Sequence, residues 1–227
     1  MDSFSLVANT FFRADLIARF APDVAKAMLL TIHLAVLVIV TGIVVGLALA
    51  VVRCFQIRLV NFLIIVAVDV FRALPPLVLI LMFYFGLPSL DVFLSSFQVI
   101  WLALSLVLAA FAEEVFWAGI LSVRKGQWEA ARSTSLSFAQ TLAYIVLPQA
   151  IRLTVAPLTN RTIVITKNTA LGSVIGVPEI LGVATTAQSF VGNSTPLMIG
   201  ALAYVLLFVP LVIFSRWLET RFSWRRL

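Results

Sequence analysis

Long apolar stretches alternate with short segments that carry basic residues along most of the sequence. Four of these stretches are almost free of charge and cover residues 27–52, 59–87, 92–112 and 197–215. At about 1.5 Å per helical residue, each is long enough to cross a hydrocarbon core of about 30 Å. The pattern therefore predicts an all-α integral membrane bundle.

A weaker apolar region at residues 141–187 contains four charged side chains, so hydropathy alone leaves its crossing of the membrane open. Lysine and arginine cluster after the first, third and last apolar stretches and are absent from the loops at 88–92 and 186–196. Cytoplasmic segments carry an excess of these residues, so all three clusters belong on one side. A fifth span within about 149–180 achieves this, which predicts an outside N-terminus and a cytoplasmic C-terminus.

The same pattern divides the chain into three parts. Residues 1–24 form an amphipathic N-terminal segment. Within it, residues 3–24 mix aromatic and aliphatic side chains with charged ones, which predicts a helix on the membrane surface. Residues 25–218 form the five-span domain, whose cytoplasmic loop covers about 122–148, and residues 219–227 form a basic cytoplasmic tail. With 62% hydrophobic and 11% charged residues, the chain leaves no room for a second, soluble domain.

The formal net charge of +6 would raise the question of nucleic acid binding in a soluble protein. Here the basic residues sit at the ends of apolar stretches, where they fix topology, so no nucleic acid partner is expected. One cysteine and one histidine exclude an internal disulfide, a haem pair and a metal cluster within the chain. No GxxxxGK[ST] motif and no nucleophile set occur, so we expect neither an enzyme nor a bound cofactor.

Ionisable side chains within the apolar stretches are candidates for a transport path, because they cost a few kcal/mol each unless they face the bundle interior or water. Arg72 lies just before the Pro75–Pro76 pair, which predicts a break in the second helix. Asp69 lies one helical turn before Arg72, so mutual pairing explains the two charges as well as a path does. Glu113 and Glu114 project about 100° apart on the third helix, so at most one points straight to the bundle axis.

The segment RKGQWEAARSTSLSFAQTLAYIVLPQAIR, residues 124–152, resembles the EAA loop of permeases from binding-protein-dependent ABC importers. KGQWEAARS followed by LPQAIR is similar to the polar amino acid branch of that family. The resemblance continues through FRALPPLVLILMFYFGLP, AEEVFWAGILSVRKGQ and PLTNRTIVITKNTALGSVIGVPEI, and covers most of residues 25–218.

This resemblance implies a five-span permease with the type I importer fold in a bacterial inner membrane. A second permease, identical or related, is expected to share one path with it, and an external binding protein to deliver a polar amino acid. Two cytoplasmic ATPase subunits are expected to hold the ATP and Mg²⁺. The alternative, an ion-coupled secondary transporter or channel, accounts for the acids at membrane depth but not for the EAA loop.

The resemblance also implies roles for two sets of residues. The positions that couple to the ATPase are Gly126, Glu129, Ala130, Ala131 and Ser135. The positions near the substrate path are Arg72, Pro75, Glu114, Lys167, Asn168 and Thr169.

The sequence departs from the family pattern at three places. Ser135 replaces a glycine after the EAA helix, so we expect another backbone conformation at that bend. KNTA at residues 167–170 replaces the more frequent KDTS. Trp117 replaces an arginine three residues after Glu114, which favours a hypothesis in which a related second permease supplies the substrate contacts.

Overall fold

Helices make up most of the part of the chain that the computed structural model describes, which is residues 3–222 except for the side chains of Phe4, Glu219 and Phe222. The α-helices are α1 (Ser3–Phe11), α2 (Ala14–Arg53), α3 (Arg58–Ala73), α4 (Pro76–Gly86), α5 (Ser96–Ser122), α6 (Lys125–Ser133), α7 (Phe138–Thr141), α8 (Leu147–Lys167), α9 (Ile180–Val191) and α10 (Thr195–Phe222). A π-helical segment, Leu142–Val146, joins α7 to α8, and 3₁₀ segments cover Leu87–Leu90 and Asn168–Ile175. No β-strand occurs within these residues, so the predicted all-α class is confirmed.

Five stretches of the described chain have the length and composition to cross a membrane. Four are the continuous helical stretches Ser5–Arg53, Ser96–Ser122, Phe138–Ile175 and Thr195–Leu218. The fifth is α3 and α4 taken together as one broken span. Four of the five predicted spans are therefore present as helical stretches of sufficient length, and the fifth is present when the bent pair α3 and α4 is counted as one span. The stretch that begins at Phe138 starts inside the predicted cytoplasmic loop, because Ser137 and Gln140 form a capping box that begins a helix there.

The second span is interrupted where the proline pair predicts a break. Helix α3 ends at Ala73, and Leu74 and Pro75 are extended, with φ/ψ of −79°/131° and −58°/134°. Proline disfavours the helical conformation of the residue before it and cannot donate a backbone hydrogen bond. Helix α4 then begins at Pro76, a position where the missing N–H has no intrahelical partner to lose.

The N-terminal region differs from the single surface helix expected over residues 3–24. The backbone N–H of Arg13 donates to Thr195 Oγ1 at 3.2 Å instead of continuing a helix, which separates α1 from α2. From Ala14 onward the residues belong to the same helix as the first span, with Pro22 inside it. The placement of this region on the membrane surface stays a prediction. The expected cytoplasmic tail at residues 219–227 begins inside α10, which continues to Phe222, and residues 1–2 and 223–227 lie outside the described chain.

Two compact units are formed by the described residues. The first contains residues 3–38, 75–104 and 165–212, and the second contains 39–74, 105–164 and 213–222. Each unit has its own buried core. The intramembrane arginines and glutamates and the helix of the EAA loop all belong to the second unit.

Close packing of α2 on α5 organises the core of the second unit. Gly42 and Gly46 have the GxxxG spacing that lets two membrane helices approach closely. A Cβ atom on Gly46 would lie 2.6 Å from Ala112 Cβ and 2.7 Å from the carbonyl oxygen of Ala109. Because one of these neighbours is backbone, the contact requires glycine. Beside it, the buried core cluster includes Ala50, Ala112 and Phe116.

Replacing Gly46 by alanine is expected to lower the free energy of unfolding by about 1–3 kcal/mol, because the added methyl group overpacks a contact that the backbone cannot vacate. Thermal unfolding of the purified chain in detergent measures the loss. Gly86→Ala is the matched control, since a Cβ there meets nothing within 4 Å. Equal melting temperatures for the two variants would contradict the close contact.

A buried polar network organises the first unit. Glu179 caps α9, and its carboxylate accepts the backbone N–H groups of Leu181 at 2.9 Å and Gly182 at 2.6 Å. The Tyr204 hydroxyl of α10 donates to the same carboxylate at 2.6 Å, and Glu179 is fully buried. The backbone N–H of Ile180 donates to Thr31 Oγ1 of α2 at 3.3 Å. The start of α9 is thus fixed to both α2 and α10.

Candidate functional site

Arg72 of α3 forms an ion pair with Glu114 of α5 in the second unit. Its Nη2 atom lies 2.7 Å from Glu114 Oε2, and its Nη1 atom lies 3.8 Å from Asp69 Oδ1. The shorter, charge-assisted contact is the one to Glu114. Pairing of Asp69 with Arg72 across one helical turn is therefore present, but as the longer of the two contacts.

A second ion pair, between Arg53 and Glu113, is more deeply buried. Arg53 Nη1 at the end of α2 lies 3.0 Å from Glu113 Oε1, and the side chain of Glu113 is only 1% exposed. The other carboxylate oxygen of Glu113 is buried and has no hydrogen-bond partner among the described residues. The adjacent glutamates thus point in different directions, since Glu114 is 46% exposed and pairs with another arginine.

Sequence reasoning assigned Arg53 to topology alone and missed its ion pair. The available signal was the GxxxG spacing, because close packing of α2 on α5 brings the end of α2 towards Glu113. Trp117 completes this site, with the Arg53 guanidinium 4.3 Å from the centroid of its ring.

Cys54 follows directly, and burial raises the pKa of its thiol to about 11, so it stays protonated at neutral pH.

Two guanidinium groups converge on the ring of Phe111. The Arg161 guanidinium lies 4.6 Å from the ring centroid and that of Arg72 lies 5.6 Å from it. Arg72 is neutralised by carboxylates, whereas no carboxylate pairs with Arg161 within the described residues. The ring therefore holds one neutralised and one unneutralised cation at membrane depth.

The other four residues predicted near the path belong to the first unit. Pro75 immediately precedes α4, and Lys167 is the last residue of α8, with Nζ 5.7 Å from the centroid of the Phe208 ring. Asn168 begins the 3₁₀ segment. Thr169 is fully buried, and its hydroxyl donates to the carbonyl of Thr166 at 2.7 Å, so its hydrogen bond is internal.

Helix α6 contains four of the five predicted coupling residues, and one of its faces, the anchored side, packs against the rest of the second unit while the other, the open face, is exposed. Trp128 stacks on Phe138 with ring centroids 5.6 Å apart, and Phe138 makes an edge contact with Phe55 at 5.6 Å. Ala131 is buried on the anchored side. The open face includes the exposed residues Gly126, Glu129 and Ala130, and a Cβ atom on Gly126 would meet nothing within 4 Å.

Ser135 corrects an expectation about the bend after α6. Its φ is 65°, so the chain uses the left-handed conformation that glycine favours, not another one. Local hydrogen bonds hold the bend: Thr134 Oγ1 donates to the carbonyl of Ala131 at 2.8 Å, and Arg132 Nη1 donates to that of Leu136 at 2.9 Å. Serine therefore occupies a glycine position, with the neighbouring contacts offsetting the backbone strain.

Ser135→Gly is expected to raise the free energy of unfolding by about 1 kcal/mol, because glycine adopts a positive φ without the steric cost that a Cβ adds. Ser133→Gly, at the last residue of α6, is expected to lower it by about 0.5 kcal/mol, because the Ser133 hydroxyl donates to the carbonyl of Glu129 at 2.9 Å and glycine removes this hydrogen bond. Chemical denaturation of both variants against the parent chain checks the opposite signs. A loss of stability in Ser135→Gly would overturn the explanation.

Comparison with known proteins decides the family. The model of the family described as binding-protein-dependent transport system inner membrane component matches residues 42–224. The chain belongs to this family. It is therefore a multi-pass membrane permease, and the ion-coupled alternative is not favoured.

The matches to curated relatives of this permease cover most of each relative's length. The probable glutamine ABC transporter permease protein GlnM of Bacillus subtilis (strain 168) is 35% identical over 197 residues, which are 84% of this chain and 89% of the relative. The L-cystine transport system permease protein TcyB of the same organism is 34% identical over 78% of this chain and 76% of the relative. The arginine ABC transporter permease protein ArtQ of Haemophilus influenzae is 33% identical over 87% of this chain and 92% of the relative.

Solved structures share the fold of the permease. The crystal structure of an amino acid ABC transporter with histidines is 29% identical, with a TM-score of 0.82, and the match covers 90% of this chain and 96% of that one. An inward-facing structure of the MetNI methionine ABC transporter matches at 19% identity with a TM-score of 0.63, which concerns the fold alone. The predicted type I importer permease fold is thus confirmed.

Proposed function

We propose that this permease carries a polar amino acid across a bacterial inner membrane as the membrane subunit of an ATP-driven importer. The observation that carries the proposal is the family match over residues 42–224, supported by relatives named for the transport of glutamine, cystine and arginine. An external binding protein delivers the amino acid and largely decides which one is moved.

The orientation follows from the basic segments. The N-terminus lies outside and the C-terminus lies in the cytoplasm, because arginine and lysine cluster after the first, third and last spans. In this orientation α6 faces the cytoplasm. The predicted loop at residues 186–196 is in the structure a short turn at residues 192–194 between α9 and α10, and this turn faces the external binding protein.

Helix α6 is the element that receives the force of ATP hydrolysis. Two partner ATPases bind ATP and Mg²⁺, and this chain holds no cofactor. The open face of α6, with Glu129 and Ala130, enters a groove on the ATPase. Because the stacking of Trp128 on Phe138 and the contact of Phe138 with Phe55 tie α6 to the start of α7 and the loop after α2, a displacement of α6 moves both together.

Arg72 and Glu114 are the charges that we assign to the substrate path. The resemblance to the family implies that Pro75, Lys167, Asn168 and Thr169 also occupy positions near the path. A zwitterionic amino acid carries one carboxylate and one ammonium group, so it can exchange with the two partners of an ion pair at little electrostatic cost. The Arg72–Glu114 pair, which is 30% and 46% exposed, meets this requirement. The Arg53–Glu113 pair is too deeply buried for such an exchange and has a structural role.

Glu114→Gln is expected to lower ATP-dependent uptake about tenfold or more, since the neutral amide can accept a hydrogen bond from Arg72 but no longer supplies the negative charge of the ion pair. Asp69→Asn is the matched control and is expected to keep most of the uptake, because Asp69 is 66% exposed and 3.8 Å from Arg72. Uptake of radiolabelled amino acid into proteoliposomes that contain the whole complex measures both. Equal losses would remove Glu114 from the path.

The experiment that tests the proposed function is the purification of the tagged permease from its native membrane in mild detergent. Mass spectrometry of the proteins that accompany it is expected to find an ATPase with a P-loop sequence. A second, related permease in the complex would support the hypothesis drawn from Trp117, and two copies of this chain alone would reject it. Recovery of this chain without any ATPase would overturn the importer proposal.

The substrate class is tested separately, by competition. Uptake by the reconstituted complex with its binding protein is expected to be inhibited by polar amino acids and not by sugars or inorganic ions. Glutamine, arginine and cystine are the first competitors to use, since relatives are named for them. Inhibition by neither cystine nor any of the twenty amino acids would reject the substrate class and leave the family intact.

A further inference from the structure

A cavity of about 510 Å³ opens in the second unit beside the start of α6. Three elements supply its walls: the end of α5 and the turn after it, the first turn of α6, and the first part of α8. Its lining includes Val123, Arg124, Gln127, Gln149, Arg152 and Leu153. None of the residues assigned above to the substrate path or to coupling lines it.

Two unneutralised cations set the chemistry of this cavity. Arg124 and Arg152 both line it, and no acidic residue does. Neither guanidinium has an ion pair or hydrogen bond within the described residues, whereas Arg13, Arg53 and Arg72 each pair with a carboxylate. Two like charges at one cavity repel each other, so an anion between them stabilises the arrangement.

The amide side chains of Gln127 and Gln149 add hydrogen-bond donors at the cavity wall. Gln149 Nε2 of α8 donates to the carbonyl of Ile145 at 2.7 Å and reaches Gln127 Oε1 of α6 at 3.4 Å. The amide nitrogen of Gln127 is therefore available as a donor at the cavity wall. The guanidinium and amide N–H groups together suit the oxygen atoms of a phosphate group.

Size and position favour a phosphate that belongs to a lipid. A free phosphate ion fills only a small part of about 510 Å³. Val123 and Leu153 add apolar walls, and Leu121 and Ile151 nearby are 65% and 39% exposed. The cavity also begins at Ser122, the last residue of a membrane-spanning stretch, which is the depth of phospholipid headgroups.

We infer that this cavity binds the headgroup of an anionic phospholipid, with the lipid phosphate between Arg124 and Arg152 and the glycerol and upper acyl carbons against Val123 and Leu153. Basic pockets at the cytoplasmic ends of membrane helices bind such lipids. The inference does not depend on which amino acid is transported. Because Gln127 belongs to α6, a lipid bound there stabilises the attachment of α6 to α8.

The test uses the delipidated full chain in detergent, titrated with phosphatidylglycerol or with phosphatidylcholine of the same acyl chains, and native mass spectrometry to count bound lipids. One phosphatidylglycerol is expected to bind more tightly than phosphatidylcholine. Its affinity is expected to fall about thirtyfold in the Arg124→Gln/Arg152→Gln variant, or about fivefold for each arginine. Arg58→Gln is the matched control, because this exposed arginine does not line the cavity and its loss is expected to leave the affinity unchanged.

Four outcomes would overturn the inference. Equal binding of the two lipids, or equal affinity in the double variant and in Arg58→Gln, would show that the cavity does not recognise an anionic headgroup. Displacement of the lipid by inorganic phosphate at millimolar concentration would assign the cavity to the free ion. Loss of the co-purifying ATPase in the double variant, without any lipid preference in the parent chain, would assign the arginines to protein docking. A thermal unfolding curve of each variant confirms that it is folded before titration.

Discussion

Arg53→Met is expected to destabilise the permease by about 3–5 kcal/mol, the largest effect of a single substitution on its folding. The physical reason is the carboxylate that remains. Glu113 is buried, and Arg53 at 3.0 Å is its ion-pair partner. Methionine keeps the length and apolar stem of the side chain but removes the charge, so the buried carboxylate of Glu113 is left without its ion-pair partner.

The double variant Arg53→Met/Glu113→Gln separates the ion pair from mere loss of packing. Removing both charges is expected to recover most of the lost stability, because no uncompensated charge remains in the core. Arg58→Met is the control for removal of an exposed arginine. Melting temperatures and yields of monodisperse protein in detergent measure all three variants. If the double variant melts as low as Arg53→Met, the buried charge is not the cause.

Glu129→Lys is expected to abolish nearly all ATP-dependent uptake while leaving the chain inserted and stable. Glu129 is exposed on the open face of α6, and it makes no side-chain contact that holds the fold among the described residues. The ATPase groove that now meets the anionic Glu129 would meet a cation in the variant. Like-charge repulsion then opposes docking of α6. The expected signature is intact protein with lost transport and lost ATPase association.

Two further variants show whether charge or position matters at this site. Glu129→Gln removes the charge without reversing it and is expected to give an intermediate loss of uptake. Asp23→Lys makes the same charge reversal at an exposed position of α2 and is expected to leave uptake near that of the parent. The measurements are uptake into proteoliposomes and the amount of ATPase recovered with the tagged permease. Normal uptake by Glu129→Lys would remove the basis for the coupling role of α6.

Local sequence signals were sufficient for the spans and for α6. Hydropathy and the distribution of basic residues predicted five crossings, since both depend only on composition along the chain. The break before Pro76 follows from the backbone chemistry of proline, which acts on the residue beside it. The exposed helix with Glu129 could likewise be placed from its motif, because α6 is short and bounded by polar turns.

The ion pair of Arg53 could not be predicted in the same way, because its partner lies 60 residues away in the chain and depends on how α2 packs on α5. The length of α2 was also missed: hydropathy changes near residue 25, whereas the helix depends on backbone hydrogen bonds that continue from Ala14 through Pro22. Ser135 shows a third kind of limit. A residue-type rule gave the preference for glycine, but the neighbouring side-chain hydrogen bonds make serine acceptable there.

Cys54 gives the permease a practical property for spectroscopy. It is the only thiol of the chain, and its burial and raised pKa keep it in the unreactive, protonated form. The parent chain is therefore expected to react little with thiol-directed dyes and spin labels. A reporter cysteine at an exposed position such as Ala130 can be labelled without first removing Cys54, whose place in the packed core beside Phe116 stays filled.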